Sequence, residues 1–167
     1  MKVFGLVGYS GSGKTALLVR LIPELVRRGI RVSTMKHAHH GFDVDQPGKD
    51  SYEHRLAGAT EVMVSSARRW ALMHENREDA EPRPDQLMRH MTAVDLLLIE
   101  GFKREPHDKL EVWRAATGKP LLAREDRSIL AVASDGPVAG LSIPLLDLND
   151  TGAIAEFILA HCGLARR

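Results

Sequence analysis

Hydrophobic and polar positions along this chain fall into blocks that read in turn as strands and helices. Lys2 to Val7 (KVFGLV) is a short apolar run with two valines and a phenylalanine, the pattern of a strand covered on both faces. From Lys14 onward, Leu17, Leu18, Leu21, Leu25 and Val26 recur at helical spacing, and Arg28 and Gly29 close that helix with a basic turn and a C-terminal glycine. Arg31 to Met35 (RVSTM) predicts a second strand, and Val94 to Ile99, in VDLLLIE, the clearest buried parallel strand, ending at Glu100 and Gly101. Leu110 to Trp113 (LEVW) predicts another that ends at Arg114, and Ile129 to Ala133 (ILAVA) one that ends at Ser134 and Asp135. Shorter helices are predicted over Ser51–Ala59, over Pro84–Met91 with proline in the first turn, and over Thr151–Ala160. Thr60–Ser65 and Arg69–Met73 flank a polar turn and predict an antiparallel hairpin, a pairing surface for a second subunit, within which Trp70 is expected to pack.

Strands alternating with helices predict an α/β fold: a mostly parallel sheet flanked by helices, with the hairpin as an addition at about residues 60–75 of a single domain covering 1–167. Ligands of such sheets bind outside the carboxyl ends of the strands, so the polar groups that follow each strand share one edge. Asp95 stands at the opposite end of its strand and is expected to be structural. At 167 residues the chain suits one ordinary domain. With 23 basic and 22 acidic residues intermixed, it has no electrostatic reason to bind nucleic acid or an anionic membrane. A single cysteine, Cys162, excludes an internal disulfide framework and is expected to be a partly buried thiol on the last helix. No stretch approaches the ~18 apolar residues of a membrane span, so the chain reads as a cytoplasmic protein.

The chemistry begins at Gly8–Thr15 (GYSGSGKT), which matches G-x-x-x-x-G-K-[ST] in the required context, after a strand and opening a helix. Gly8, Gly11 and Gly13 permit backbone angles and close approaches that let successive amides point at phosphate oxygens. The first helical turn adds unpaired N–H groups and partial positive charge. Lys14 supplies a full charge to β and γ phosphates, and the Thr15 hydroxyl is a Mg²⁺ ligand of the usual kind. Gly8, Ser10, Gly11, Ser12, Gly13, Lys14, Thr15 and Ala16 are therefore the candidate nucleotide-binding positions. Glu100 occupies the place of the acid that follows a buried strand in phosphate-loop proteins, where aspartate is usual; it is a candidate to bind the metal, orient water or act as a base.

Lys36–Ser51 (KHAHHGFDVDQPGKDS) follows the second strand. His37, His39 and His40 lack the i, i+4 spacing that presents two imidazoles from one helix face, so the stretch reads as a switch-like loop, with Gly41 and Gly48 as pivots, rather than a zinc site. Asp43, Asp45 and Asp50 are candidates to approach Mg²⁺ at Thr15; the spacing does not choose among them, and Asp45 is carried forward with Thr15 and Glu100 as the metal set. Lys36 and Lys49 are candidates to meet anionic groups, and Asp50, with Glu53 three residues on, also fits an N-cap.

Three segments together resemble the molybdopterin-guanine dinucleotide biosynthesis adapter protein B (MobB) family: GLVGYSGSGKTALLVRLIPEL, STMKHAHHGFDVDQPGKDSYEHRLAGA and VDLLLIEGFKREPHDKLEVWR. The resemblance implies a GTP-binding protein of the P-loop NTPase fold with at most slow GTPase activity, usually a homodimer. It implies partnership with the guanylyltransferase that joins GMP to molybdopterin, with molybdopterin meeting either this chain or that partner. Candidates for the second ligand or the partner are His37, His39, His40, Asp43, Lys49, Asp50 and Lys103, the last within the loop Phe102–Lys109. Guanine rather than adenine rests on the resemblance, because the chain has no [NT]-K-x-D motif; Asp135, in VASD after a strand, is the nearest candidate. The alternatives are a small-molecule kinase or ligase and a nucleotide-switched scaffold without catalysis.

Overall fold

The structure is a computed structural model that describes residues 1–38, 41–77 and 80–165. In chain order the elements are β1 (Lys2–Val7), α1 (Lys14–Arg27), β2 (Val32–Lys36), α2 (Asp50–Leu56), β3 (Glu61–Ser65), β4 (Trp70–His74), α3 (Pro84–Leu87), β5 (Leu96–Glu100), β6 (Lys109–Trp113), β7 (Ile129–Ser134), β8 (Leu145–Asp147) and α4 (Thr151–His161). They form two compact units, one of Met1–His37 with Met91–Arg167 and one of Ala38–His90.

The first unit is built on a six-stranded sheet of order β2-β5-β1-β6-β7-β8, every neighbouring pair parallel. With a period of two along each strand, one face carries Phe4, Leu6, Leu96, Leu98, Leu110, Val112, Ala131 and Ala133. Against it pack Leu17, Leu18, Leu21 and Leu25 of α1 and Ile154, Ala155, Ile158 and Leu159 of α4. Cys162 is buried in the same cluster, as expected. Fully burying each of these leucines and isoleucines contributes roughly 1.5–3 kcal/mol, which makes this helical layer the main apolar core.

The opposite face is less apolar. Lys109 and Glu111 point into it and are fully buried, which is tolerable only because each has built-in partners. Lys109 Nζ donates to Asp126 Oδ2 at 3.0 Å and to Ser128 Oγ, while Glu111 accepts from the backbone N–H groups of Leu122 and Ala123 at 2.9 and 2.8 Å. Burial pushes the Glu111 carboxyl above its ordinary range against the pull of those two bonds. His107 lies against Gly5, where a Cβ would meet its ring at 2.5 Å; burial, aided by Lys109, pushes His107 down to about 4.

The second unit holds the expected hairpin. β3 and β4 pair antiparallel from Glu61 with His74 to Ser65 with Trp70, and Ser66 closes the turn by donating its N–H to the Arg69 carbonyl. Three expectations change here. Trp70 is 61% exposed rather than packed. The N-cap of α2 is Lys49, in extended geometry and without a side-chain cap; Asp50 is the first helical residue, where its charge still suits the positive helix end. Asp43 and Asp45 are both bound by Arg55, at 2.8 and 3.0 Å, and the Asp45 side chain is 4% exposed. In the first unit, β8 was not foreseen. Asp95 is structural: it accepts from the Arg31 backbone N–H at 2.8 Å and pairs with its guanidinium.

Candidate functional site

All six strands of the first unit run parallel, so their carboxyl ends share one edge. At its centre β1 leaves the sheet at Val7 and α1 starts at Lys14, with the glycine loop between. Gly8, Gly11 and Gly13 all have positive φ, 145°, 80° and 98°, the conformation for which the sequence places glycine there. Gly13 is also the N-cap of α1 and makes no side-chain cap hydrogen bond, while the Arg114 guanidinium lies close by, 3.4 Å from where a Cβ at Gly13 would stand.

The neighbouring strand end brings in the predicted acid. Parallel register sets Glu100 beside both Leu6 and Lys36. Thr15 Oγ1 donates to Glu100 Oε1 at 2.8 Å, 85 residues apart in sequence, and Lys36 Nζ stands 3.9 Å from the same oxygen. A hydroxyl and a carboxylate converging at the loop are the oxygen donors a hard divalent cation takes, so this pair fits Mg²⁺. Lys14 Nζ donates to the Tyr9 carbonyl at 2.9 Å. Burial holds the Lys14 ammonium below its ordinary range, Glu100 opposes this, and Lys103 and Lys36 add to it.

Backbone after β5 is tightly specified. Gly101 has φ 95°, and a Cβ there would come within 2.9 Å of His37 Cβ. Phe102 follows with φ 49°, a conformation that costs a non-glycine residue energy and must be held in place by its surroundings. The Phe102 ring stacks on His37 with centroids 4.6 Å apart, and His37 N–H donates to the Glu100 carbonyl at 2.9 Å. His37 therefore sits beside the predicted acid.

On the other flank of the loop, Arg114, Tyr9 and Lys119, which sequence reasoning passed over, lie with the predicted Asp135 and Lys103. Arg114, the first residue after β6, donates Nε to the Ser12 carbonyl at 3.2 Å and pairs through Nη1 with Asp135 Oδ2 at 3.2 Å. Lys103 and Lys119 lie 4.5 and 6.0 Å from the centre of the Tyr9 ring. The signal for Arg114 was its place just beyond a strand's carboxyl end. Tyr9 fills an unspecified position of the loop motif, and Lys119 lies in a loop, so neither carried a signal.

Of the predicted residues, the structure brings together Gly8 to Thr15, Glu100, Lys36, His37 and Lys103 within the first unit. Asp43, Asp45, Lys49 and Asp50 belong to the second, where Arg55 engages the first two. His39 and His40 lie outside the described residues. Among the described residues no group of three or more His, Cys, Asp or Glu could hold a metal ion. No described helix is long and apolar enough to cross a membrane.

Comparison with known proteins agrees with this architecture. The family model of molybdopterin guanine dinucleotide synthesis protein B (MobB) matches residues 3–135. The chain is 47% identical over 154 residues, 90% of its length and 87% of the other's, to the molybdopterin-guanine dinucleotide biosynthesis adapter protein of Escherichia coli (strain K12). It is 45% identical over 161 residues, 93% of its length and 86% of the other's, to the protein of the same name from Haemophilus influenzae. Its fold is similar to the crystal structure of molybdopterin-guanine biosynthesis protein B, with TM-score 0.75 and 30% identity across 95% of this chain and 99% of that one.

Proposed function

The chain belongs to the molybdopterin guanine dinucleotide synthesis protein B (MobB) family, and from that membership we propose that it is a GTP-binding adapter in molybdenum cofactor biosynthesis. It would serve the guanylyltransferase that attaches GMP to molybdopterin. The observation that carries the nucleotide half of this reading is the 2.8 Å bond from Thr15 to Glu100 beside a glycine loop whose helix N-cap, Gly13, makes no side-chain cap hydrogen bond. The family supplies the cofactor half.

Within this reading the amides of Gly11 to Thr15 and the Lys14 ammonium hold β and γ phosphates. Thr15 and Glu100 would hold Mg²⁺, which would offset charge on the phosphate oxygens. Lys14 and Lys36 now rest on a carbonyl and a carboxylate, and each exchanges that partner for a phosphate oxygen. Lys103 and the segment from His37 to Asp50 are assigned to the second ligand or the partner enzyme. The β3–β4 ribbon, with Met63 62% and Trp70 61% exposed, is assigned to self-association as a homodimer. Trp70→Glu should then shift the protein toward monomer in sedimentation.

Calorimetry with GTP and ATP, each with and without Mg²⁺, tests the nucleotide assignment. Lys14→Ala should abolish nucleotide binding while the protein stays folded, and tight ATP binding without GTP binding would overturn the reading. The family comparisons do not favour a small-molecule kinase or ligase; such an enzyme would turn over at ~1–100 per second with a discrete acceptor.

A further inference from the structure

From the Arg114–Asp135 pair we infer that Asp135 reads the nucleobase, held in place by Arg114, and that it makes this site selective for guanine. The inference deepens the proposed nucleotide-binding function and rests on the reading of Gly8–Thr15 as a phosphate loop.

Direction comes first. The groups that take metal and terminal phosphate, Thr15, Glu100 and Lys36, lie toward β5 and β2, on one side of β1. The ribose and base must then extend the other way, over the ends of β6 and β7. Asp135 stands just past β7, two strands from β1, a separation of roughly 10 Å at the ordinary strand spacing. That is about the reach of a ribose with its base. The exposed Asp135 follows a shaped turn, in which Gly136 N–H donates to Ser134 Oγ at 3.2 Å.

The link to the loop is physical. Arg114 donates Nε to the Ser12 carbonyl, inside the phosphate loop, and its Nη1 forms an ion pair with Asp135 Oδ2 at 3.2 Å, so one guanidinium links the phosphate and base subsites. The hydrogen bond uses one of the five N–H donors on the guanidinium, and the ion pair engages one of the carboxylate oxygens. Asp135 Oδ1 and further Arg114 donors are left for a ligand. Guanine presents N1–H and 2-amino donors beside an O6 acceptor, which a carboxylate and an adjacent guanidinium complement. Adenine offers N1 as an acceptor to the carboxylate and a 6-amino donor toward the cation, a mismatch at both. The carboxylate that ends β8, Asp147, accepts from Asn149 N–H at 2.8 Å and lies one strand further out.

Calorimetry on the full chain with GTP, ITP, XTP and ATP decides the matter. In the unaltered protein ITP, which lacks only the 2-amino donor, should bind tenfold to a hundredfold more weakly than GTP, the usual value of one hydrogen bond to a charged group. Asp135→Asn should weaken GTP by a similar factor and improve XTP, whose 2-carbonyl accepts from the new amide. Equal affinity for ITP and GTP in the unaltered protein overturns the inference even if the variant does not fold. Unchanged GTP:ITP:ATP ratios in a folded Asp135→Asn do so too. Lys14→Ala separates the two readings: if it abolishes binding of every nucleotide while Asp135→Asn leaves the ratios unchanged, the phosphate loop stands and the base assignment falls. If Lys14→Ala leaves binding intact, the loop assignment itself falls.

Discussion

Gly8→Ala and Gly11→Ala are chemically the same change in the same loop, yet the structure predicts different costs. At Gly8, φ is 145°, and a Cβ would lie 2.3 Å from the Val112 carbonyl oxygen and 2.7 Å from the buried Ser12 Oγ. The first neighbour is backbone of β6 and cannot rotate away, so the loop or the strand must shift until the contact passes 3.0 Å. Strained backbone costs about 1–3 kcal/mol and overpacking about 1–3 more, for a total of roughly 2–6 kcal/mol. At Gly11, φ is 80° and nothing lies within 4 Å of the built Cβ, so only the conformational cost of about 1–2 kcal/mol applies. At 2–4 °C per kcal/mol for a chain of this size, Gly8→Ala should lower the melting temperature by roughly 5–20 °C and Gly11→Ala by about 2–8 °C. Thermal unfolding followed by circular dichroism measures both, and calorimetry with GTP should show that Gly11→Ala loses affinity well beyond its loss of stability. Equal melting shifts for the two variants would refute the claim that close approach to β6 is what requires glycine at position 8.

Asp126→Asn leaves the Lys109 ammonium buried without its counter-charge and should cost about 3 kcal/mol by chemical denaturation. Asp126 is held net below the ordinary carboxylate range: burial pushes it up, but hydrogen bonds from Ser128 and Lys109 outweigh that. Its stabilisation is therefore present above its unfolded value near ~4, is lost as pH falls through the lowered folded value, and should vanish from the acid limb of melting temperature against pH in Asp126→Asn. Glu100→Gln should keep the fold and weaken the apparent Mg²⁺ affinity of the GTP complex roughly tenfold to a hundredfold, read by titrating Mg²⁺ at fixed GTP; an unchanged Mg²⁺ requirement would remove Glu100 from the metal set. Arg55→Ala strips the cation from the buried Asp45 carboxylate and should cost about 3 kcal/mol. Hydrogen exchange should place the loss in the second unit, and a uniform loss across the sheet would contradict that.

What was legible followed from signals that are local in sequence. β1, β5 and β7 are nearly continuous apolar runs because both faces of a parallel strand are covered, and the glycine loop between β1 and α1 declares itself by residue type and spacing. β6 was read from Leu110 despite Glu111, but not the reason its charges are allowed: Glu111 and Lys109 are satisfied by groups 11 to 19 residues further on, in a single 3-10 turn and the loop after it, too short to show a period. The same blindness affected Asp43 and Asp45. Their spacing after β2 suggests a metal site, and only the fold reveals Arg55 between them. β8 has three residues and no room to show a period. Trp70 misled because an aromatic residue in a strand ordinarily packs, whereas this ribbon leaves it exposed.

Under the proposed function, the charges at the sheet edge bear on how the site would hold a nucleotide. Three cations near the loop already have polar internal partners: Lys14 on the Tyr9 carbonyl, Lys36 near Glu100, Arg114 on the Ser12 carbonyl and beside Asp135. A phosphate bound here would therefore meet cations that are already engaged, and its binding energy would be the difference between the new contacts and those it replaces, not their full strength. The exchange also preserves geometry. Gly101 and Phe102, both in the left-handed region, with His37 stacked on Phe102, fix the end of β5, so Glu100 is positioned before any ligand arrives. Under the proposed function, a preformed site that gains modestly from each phosphate contact would take up and release nucleotide without rearranging its sheet edge.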